Sequence, residues 1–93
     1  AVSEMDQLMR ELRVAPRYLG GKLAGYEIAS VRPDSLPHRM GLRQGDLLTA
    51  VNERPIRNFE QLFEIYQVLP DVDRIRIDLV RAGAARTLTY EVQ

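Results

Sequence analysis

The segment Met40 to Ile56, MGLRQGDLLTAVNERPI, constrains the fold more than any other part of the chain. Gly41 is placed to stop a short helix in the left-handed conformation, and Gly45 to take the positive φ of a turn. Asp46 follows and can accept hydrogen bonds from the turn amides. Leu47 to Val51 is then apolar with little alternation, the pattern of a strand covered on both faces, so it belongs in the core. A length of 93 residues leaves room for one domain that buries about 60–65% of its unfolded surface.

The flanking segments supply the remaining elements. Met5, Leu8, Met9 and Leu12 fall at helical spacing in Ser3 to Arg13, with Ser3 as cap and Asp6 three residues on, which predicts an amphipathic helix of about three turns. Pro16 forbids its continuation, so Tyr18-Leu19 reads as a short strand entering Gly20-Gly21. Gly25 to Val31 alternates, with Tyr26 and Ile28 on one face and Glu27 on the other, as a half-buried strand does. Ser35 to Met40 holds one or two helical turns with Pro37 near the start. Asn58 can cap a longer helix, with Gln61 completing a capping box and Phe59, Leu62, Phe63, Tyr66 and Leu69 forming an apolar stripe that ends at Pro70. Ile75, Ile77 and Leu79 alternate with charged residues, Arg81 to Ala84 turns, and Thr87 to Val92 returns as the second strand of a hairpin. The order predicts an α+β domain, mainly β, built round a curled antiparallel sheet or partly open barrel, with one short and one long helix. Residues 1–13 are expected as an N-terminal helical extension and residues 14–93 as the domain proper.

Charge and composition exclude several functions. Thirteen basic and thirteen acidic side chains cancel, removing the general attraction to nucleic acid or anionic lipid. No cysteine is present, so thiol catalysis, disulfides and cysteine metal sites are ruled out. His38 is the only histidine and is read as solvent-facing. Ser3, Ser30 and Ser35 lack a nucleophile elbow, and Ser35 is better placed as a helix cap. Asp71 and Asp73 bracket a turn and are too few oxygen ligands for a calcium cage. No cofactor, metal or catalytic residue is expected. Arg74, Arg76, Arg81 and Arg86 read as the charged positions that keep an outer strand from aggregating, against the alternative of a basic stripe. No apolar run reaches the roughly 20 residues that span a bilayer. Ala1-Val2-Ser3 opens without Met, as expected of a piece cut from a longer protein.

Pro33-Asp34-Ser35 followed by Met40 to Asn52 resembles the "pGSpA…aGLkpGDvIlavNG" segment of bacterial PDZ domains, and the resemblance extends over nearly all of Tyr18 to Val92. Pro16 to Ile28 further resembles the "rPyfrdGkvvGfrl" entry of the C protein family of the type II secretion system; Met5 to Leu8 and Tyr66 also fit that subfamily. The other subfamilies with a comparable pattern are the PDZ domains of high-temperature-requirement and site-2 type proteases. One departure is Glu53 after Asn52, where the family has glycine. Positive φ at a glutamate costs about 1 kcal/mol, so a different turn type is expected there. A second is Tyr18 to Gly21, which keeps only part of the loop that holds a peptide C-terminus.

The resemblance implies a module that binds by strand addition to a sheet edge, here Leu23 to Ser30, beside the helix Phe59 to Leu69. The expected groove residues are Tyr18, Leu19, Gly20, Gly21, Leu23, Ala24, Tyr26, Ile28, Phe59, Phe63 and Tyr66. The amides of Tyr18 to Gly21 would cradle a terminal carboxylate, with Arg17 or Lys22 adding charge. It also implies a periplasmic domain of an inner-membrane protein that meets the secretin and recognises secreted proteins. The protease resemblance implies instead a substrate sensor that regulates an active site elsewhere in its chain. The N-terminal helix packs on the domain, or serves as a partner or self-association surface.

Overall fold

The computed structural model describes residues 4–91. Helix α1 (Glu4–Glu11) runs directly into strand β1 (Leu12–Leu19), which turns back as β2 (Lys22–Val31). The short helix α2 (Leu36–Arg39), β3 (Leu47–Val51), the two-residue β4 (Arg54–Pro55) and α3 (Phe59–Val68) come next, and β5 (Arg74–Arg81) and β6 (Ala84–Glu91) close the chain as a hairpin. All pairings are antiparallel in one sheet of order β1-β2-β3-β5-β6, with β4 also paired to β3. This is the α+β, mainly β architecture that the sequence predicts. The expected Ser3 cap and Val92 lie outside the described residues.

The core lies where the alternation placed it. Tyr26 and Ile28 of β2, Leu48 and Val51 of β3, and Ile75, Ile77 and Leu79 of β5 are buried together with Met40, Leu42, Ile56 and Leu69. Gly25 lets β2 and β3 approach closely: its φ is +155°, and a Cβ there would stand 2.2 Å from the carbonyl oxygen of Leu48. Any side chain would force the two strands apart.

The caps match the sequence with one correction. Ser35 Oγ accepts from the His38 N–H at 3.3 Å, and Asn58 Oδ1 accepts from the Gln61 N–H at 2.8 Å. Gln61 does not close a capping box on Asn58. Its Oε1 accepts from the Arg57 N–H one residue earlier, at 2.8 Å, and its Nε2 donates to the Pro55 carbonyl at 3.1 Å. The helical path also continues past α3, because Leu69–Asp71 forms a single 3-10 turn in which Pro70 occupies a first-turn position that needs no N–H.

Two expectations are corrected by tertiary context. Strand β1 begins at Leu12, six residues before the expected Tyr18. Pro16 does not delimit the strand, because β1 is an edge, where a missing N–H can face away from the sheet. At Asn52-Glu53, positive φ values of 50° and 68° between paired Val51 and Arg54 define the two-residue turn that the glutamate was expected to forbid. The turn is held from outside: Asn52 Oδ1 accepts from the Arg76 N–H at 2.9 Å, the Asn52 N–H donates to the Arg76 carbonyl at 2.8 Å, and Arg76 Nη1 reaches Glu53 Oε1 at 3.1 Å. These bonds to β5 offset a strain of about 1 kcal/mol.

Candidate functional site

A strand can be added only where a sheet has an open edge, and the sheet order places that edge differently from the expectation. Strand β2 holds Leu23 to Ser30 and is paired along its length with β1, while Tyr26 and Glu27 also meet β3. It offers no free edge beside α3. The edge on that side of the sheet is β1, and its Leu12 to Val14 end lies next to α3. There Met9, Leu12, Arg13, Val14 and Phe59 line an open cleft of about 320 Å³. Adjoining it, Leu8, Leu12, Val14, Phe59, Leu62 and Tyr66 help line an open apolar cavity of about 60 Å³.

The direction of the β1 amides follows from both of its ends. The Glu11 carbonyl accepts from the Arg32 N–H at 2.8 Å, so Glu11 faces β2. At the other end Leu19 pairs with Lys22 across a two-residue turn, whose closing pair is hydrogen-bonded. Both irregularities in the β1–β2 register place the extra residue on β2, leaving β1 regular. Backbone groups therefore alternate without a break. Arg13, Ala15 and Arg17 face β2, whereas Leu12, Val14, Pro16 and Tyr18 face the open edge. This parity puts the missing N–H of Pro16 on the open side.

The expected groove residues separate into three groups. Tyr18, Leu19, Gly20 and Gly21 form the tip of the β1–β2 hairpin, and Gly20 and Gly21 take φ values of 59° and 79° in a tight turn. Tyr18 and Leu19 are 61% and 66% exposed, so this segment is a protruding tip. Arg17 is ion-paired with Glu27 across the hairpin, and Lys22 is exposed beside the tip. Tyr26 and Ile28 are core residues, Leu23 packs on the core margin and Ala24 is half-buried in β2. From α3, Phe59 and Tyr66 line the cleft and cavity, whereas Phe63 is half-buried and lines neither. Met9, Leu12, Arg13 and Val14 are not among the expected groove residues, since their spacing puts Met9 and Leu12 in the N-terminal helix. The readable signal for them was Pro16 itself, because a proline inside a strand pattern marks an edge.

Tyr66 also ties the helices together: its hydroxyl donates to Glu11 Oε2 at 2.9 Å, and Leu8 of α1 is 3% exposed. The foundation of the site is the turn after α2. Asp46 is buried and accepts from Arg81 Nε at 2.8 Å, Arg81 Nη2 at 2.7 Å and the Arg43 N–H at 2.9 Å. Arg81 Nη2 also donates to the Gly41 carbonyl at 2.8 Å. Burial pushes the Asp46 carboxyl up, but the bonds from Arg81 and from the Arg43 amide outweigh it and hold its pKa below the ordinary value. Among the described residues no cluster of His, Cys, Asp and Glu is arranged to hold a metal, and no helix is long and apolar enough to cross a membrane.

Residues 27–81, more than half of the sequence, match the PDZ domain family. The chain belongs to the PDZ domain family. Over 81 residues, 87% of the PDZ chain, it is 27% identical to the type II secretion system protein C of Klebsiella pneumoniae, covering 28% of that protein. Over 69 residues it is 32% identical to the periplasmic serine endoprotease DegP of Salmonella typhimurium, covering 74% of the PDZ chain and 14% of the protease. The chain thus spans under a third of the length of these curated relatives. Among solved structures, the PDZ domain of the pullulanase C protein of the type II secretion system from Klebsiella pneumoniae, crystallised with a fatty acid, is 29% identical. It superposes with a TM-score of 0.62 over 94% of this chain and 89% of that one.

Proposed function

We propose that this PDZ domain is a noncovalent protein–protein interaction module of a type II secretion system, the periplasmic part of its inner-membrane C component. It works by accepting an extended segment of another protein on the open edge of β1 beside α3. The backbone groups of Leu12 and Val14 supply the ladder, the Met9–Leu12–Val14–Phe59 cleft takes an apolar side chain, and Arg13 attracts a carboxylate. Its partners are the secretin, secreted proteins, or both. It carries no catalytic residues of its own. The observation that carries the assignment to secretion is coverage: the match to protein C takes in 87% of the chain and the match to the protease 74%.

A second reading is favoured by the higher identity of the protease match, 32% against 27%. In it the same edge senses substrate C-termini for a protease. Amide NMR spectra recorded while adding purified periplasmic secretin domains, then peptides with free and with amidated C-termini, separate the two. Shifts at Leu12 to Val14 and along α3 on adding secretin support secretion. Shifts only with free C-termini support the protease sensor, and silence at the β1 edge in every titration rejects this edge as the binding site.

A further inference from the structure

The open edge of β1 is eight residues long, ends in an exposed Tyr18-Leu19 pair and, among the described residues, is paired to nothing on its outer side. Such an edge is a template for a second copy of the same strand. Antiparallel pairing of β1 with its own copy over the full length of the edge would set outward-facing residues opposite one another, Leu12 against Tyr18 and Val14 against Pro16. The two outer matches are then sound. Both central ones require an N–H from Pro16, which has none, so the pairing fails in the middle twice, once for each strand.

The same residue divides the edge. On one side Leu12 and Val14 present complete outward donors and acceptors beside α3, Phe59 and Arg13. On the other, Tyr18 presents them at the hairpin tip, away from the cleft. A partner strand bonded to Leu12 and Val14 finds no donor at Pro16 and cannot extend its ladder toward the tip. Arg13 sharpens the choice, since no acidic side chain pairs with it among the described residues.

We propose that Pro16 is the specificity-determining residue of this edge: it confines strand addition to a short extended segment at Leu12 to Ala15 beside α3, and it prevents β1 of a second copy from pairing. The first half rests on the β1-edge reading above; the second stands without it.

Pro16→Val restores the donor with a good strand former, and Pro16→Ala restores it with less strand propensity. Sedimentation from micromolar to millimolar concentration, with amide exchange at each end of that range, tests the proposal. The unsubstituted chain is expected to show no association through β1, with the Leu12, Val14 and Tyr18 amides unprotected throughout. P16V is expected to dimerise with concentration, slowing exchange at those three amides by about tenfold or more, and P16A to do so more weakly. If both variants fold cooperatively and their β1 edge stays unprotected at every concentration, the proposal is overturned. Protection of the unsubstituted edge at high concentration overturns it as well. Dimerisation of P16V with no peptide or secretin shift at Leu12 to Val14 would instead retire the binding reading and leave the block on self-pairing in place.

Discussion

Asp46 is 1% exposed, and an unpaired carboxylate at that depth would neutralise itself before it stayed charged. It remains charged because Arg81 meets it with two nitrogens while also donating to the Gly41 carbonyl. One arginine therefore pins both glycine-marked ends of the turn to β5. Because the folded pKa of Asp46 lies below its unfolded value, the stability it supplies is fully present above the unfolded pKa of about 3.9 and is lost as pH falls through the folded pKa. Asp46→Asn removes the charge while keeping the shape. It is expected to cost about 3 kcal/mol near neutral pH, the low end of the range for a broken buried pair because Arg81 keeps some contact with water. Urea unfolding from pH 7 down to pH 3 checks both points: the variant should start lower and lose less below about pH 4 than the original chain. An identical acid slope in the two proteins would remove Asp46 as the source. The turn bond from the Arg43 N–H was legible in the local sequence, since an aspartate after a turn glycine caps amides. Arg81 was not legible, because it is 35 residues away and reads together with Arg74, Arg76 and Arg86 as a solvated charge, although it is in phase with the buried Ile75, Ile77 and Leu79 and not with Arg74 and Arg76. Only the sheet register brings it to Asp46.

At the level of elements, periodicity located the helices and strands β2, β3, β5 and β6, but it put Leu12 and Arg13 in the N-terminal helix and read only Tyr18-Leu19 of β1, whose role depended on pairing that periodicity does not encode. The pattern from Gly25 to Val31 gave the correct buried face for Tyr26 and Ile28. Which neighbour covers a strand's edge is a separate property, and so the sequence points to Leu23 to Ser30 as the open edge when β1 covers it. Pro16 carried the missing information, but a proline just after a helical pattern reads first as a helix stop. The Asn52-Glu53 turn was misjudged for the related reason that its strain is offset by Arg76 on another strand. Helix α1 adds to stability through two anchors. Its Leu8 is buried against the cavity under α3, and its last residue Glu11 accepts from Tyr66. Leu8→Ala is expected to cost about 2–3 kcal/mol, near the low end for a buried leucine because the surrounding cleft is open to water. Deleting residues through Arg10 is expected to cost about the same and to leave cooperative unfolding intact. Deletion through Arg13 should cost more, since it also removes Leu12 from its pairing with Val31. Loss of a cooperative thermal transition after the shorter deletion would make α1 part of the core and not an attachment to it.

For the molecule as a whole, the distribution of burial implies an order of opening. Ile28, Leu48, Ile75, Ile77 and Leu79 lie on three adjacent strands and are the most deeply buried side chains of the sheet. The hairpin tip from Arg17 to Lys22 is exposed throughout. A balanced net charge of zero adds no long-range repulsion that would loosen the sheet evenly. Local opening free energies run from near zero at exposed tips to the global value in such a centre. Amide hydrogen exchange near neutral pH should accordingly find Ile28, Ile77 and Leu79 exchanging only by global unfolding, and the amides at Gly20 and Gly21 exchanging at nearly unprotected rates. Between these limits β1 should alternate. Arg13, Ala15 and Arg17, bonded to β2, should exchange at least about tenfold more slowly than Leu12, Val14 and Tyr18, which face water. Uniform protection along β1 would mean that its outer edge is already covered, and strand addition at Leu12 to Val14 would then have no place to occur. Alternation with a protected centre means that the sheet is rigid where the fold needs it and open along the one strand that adjoins α3, so a partner can be received without unfolding any part of the core.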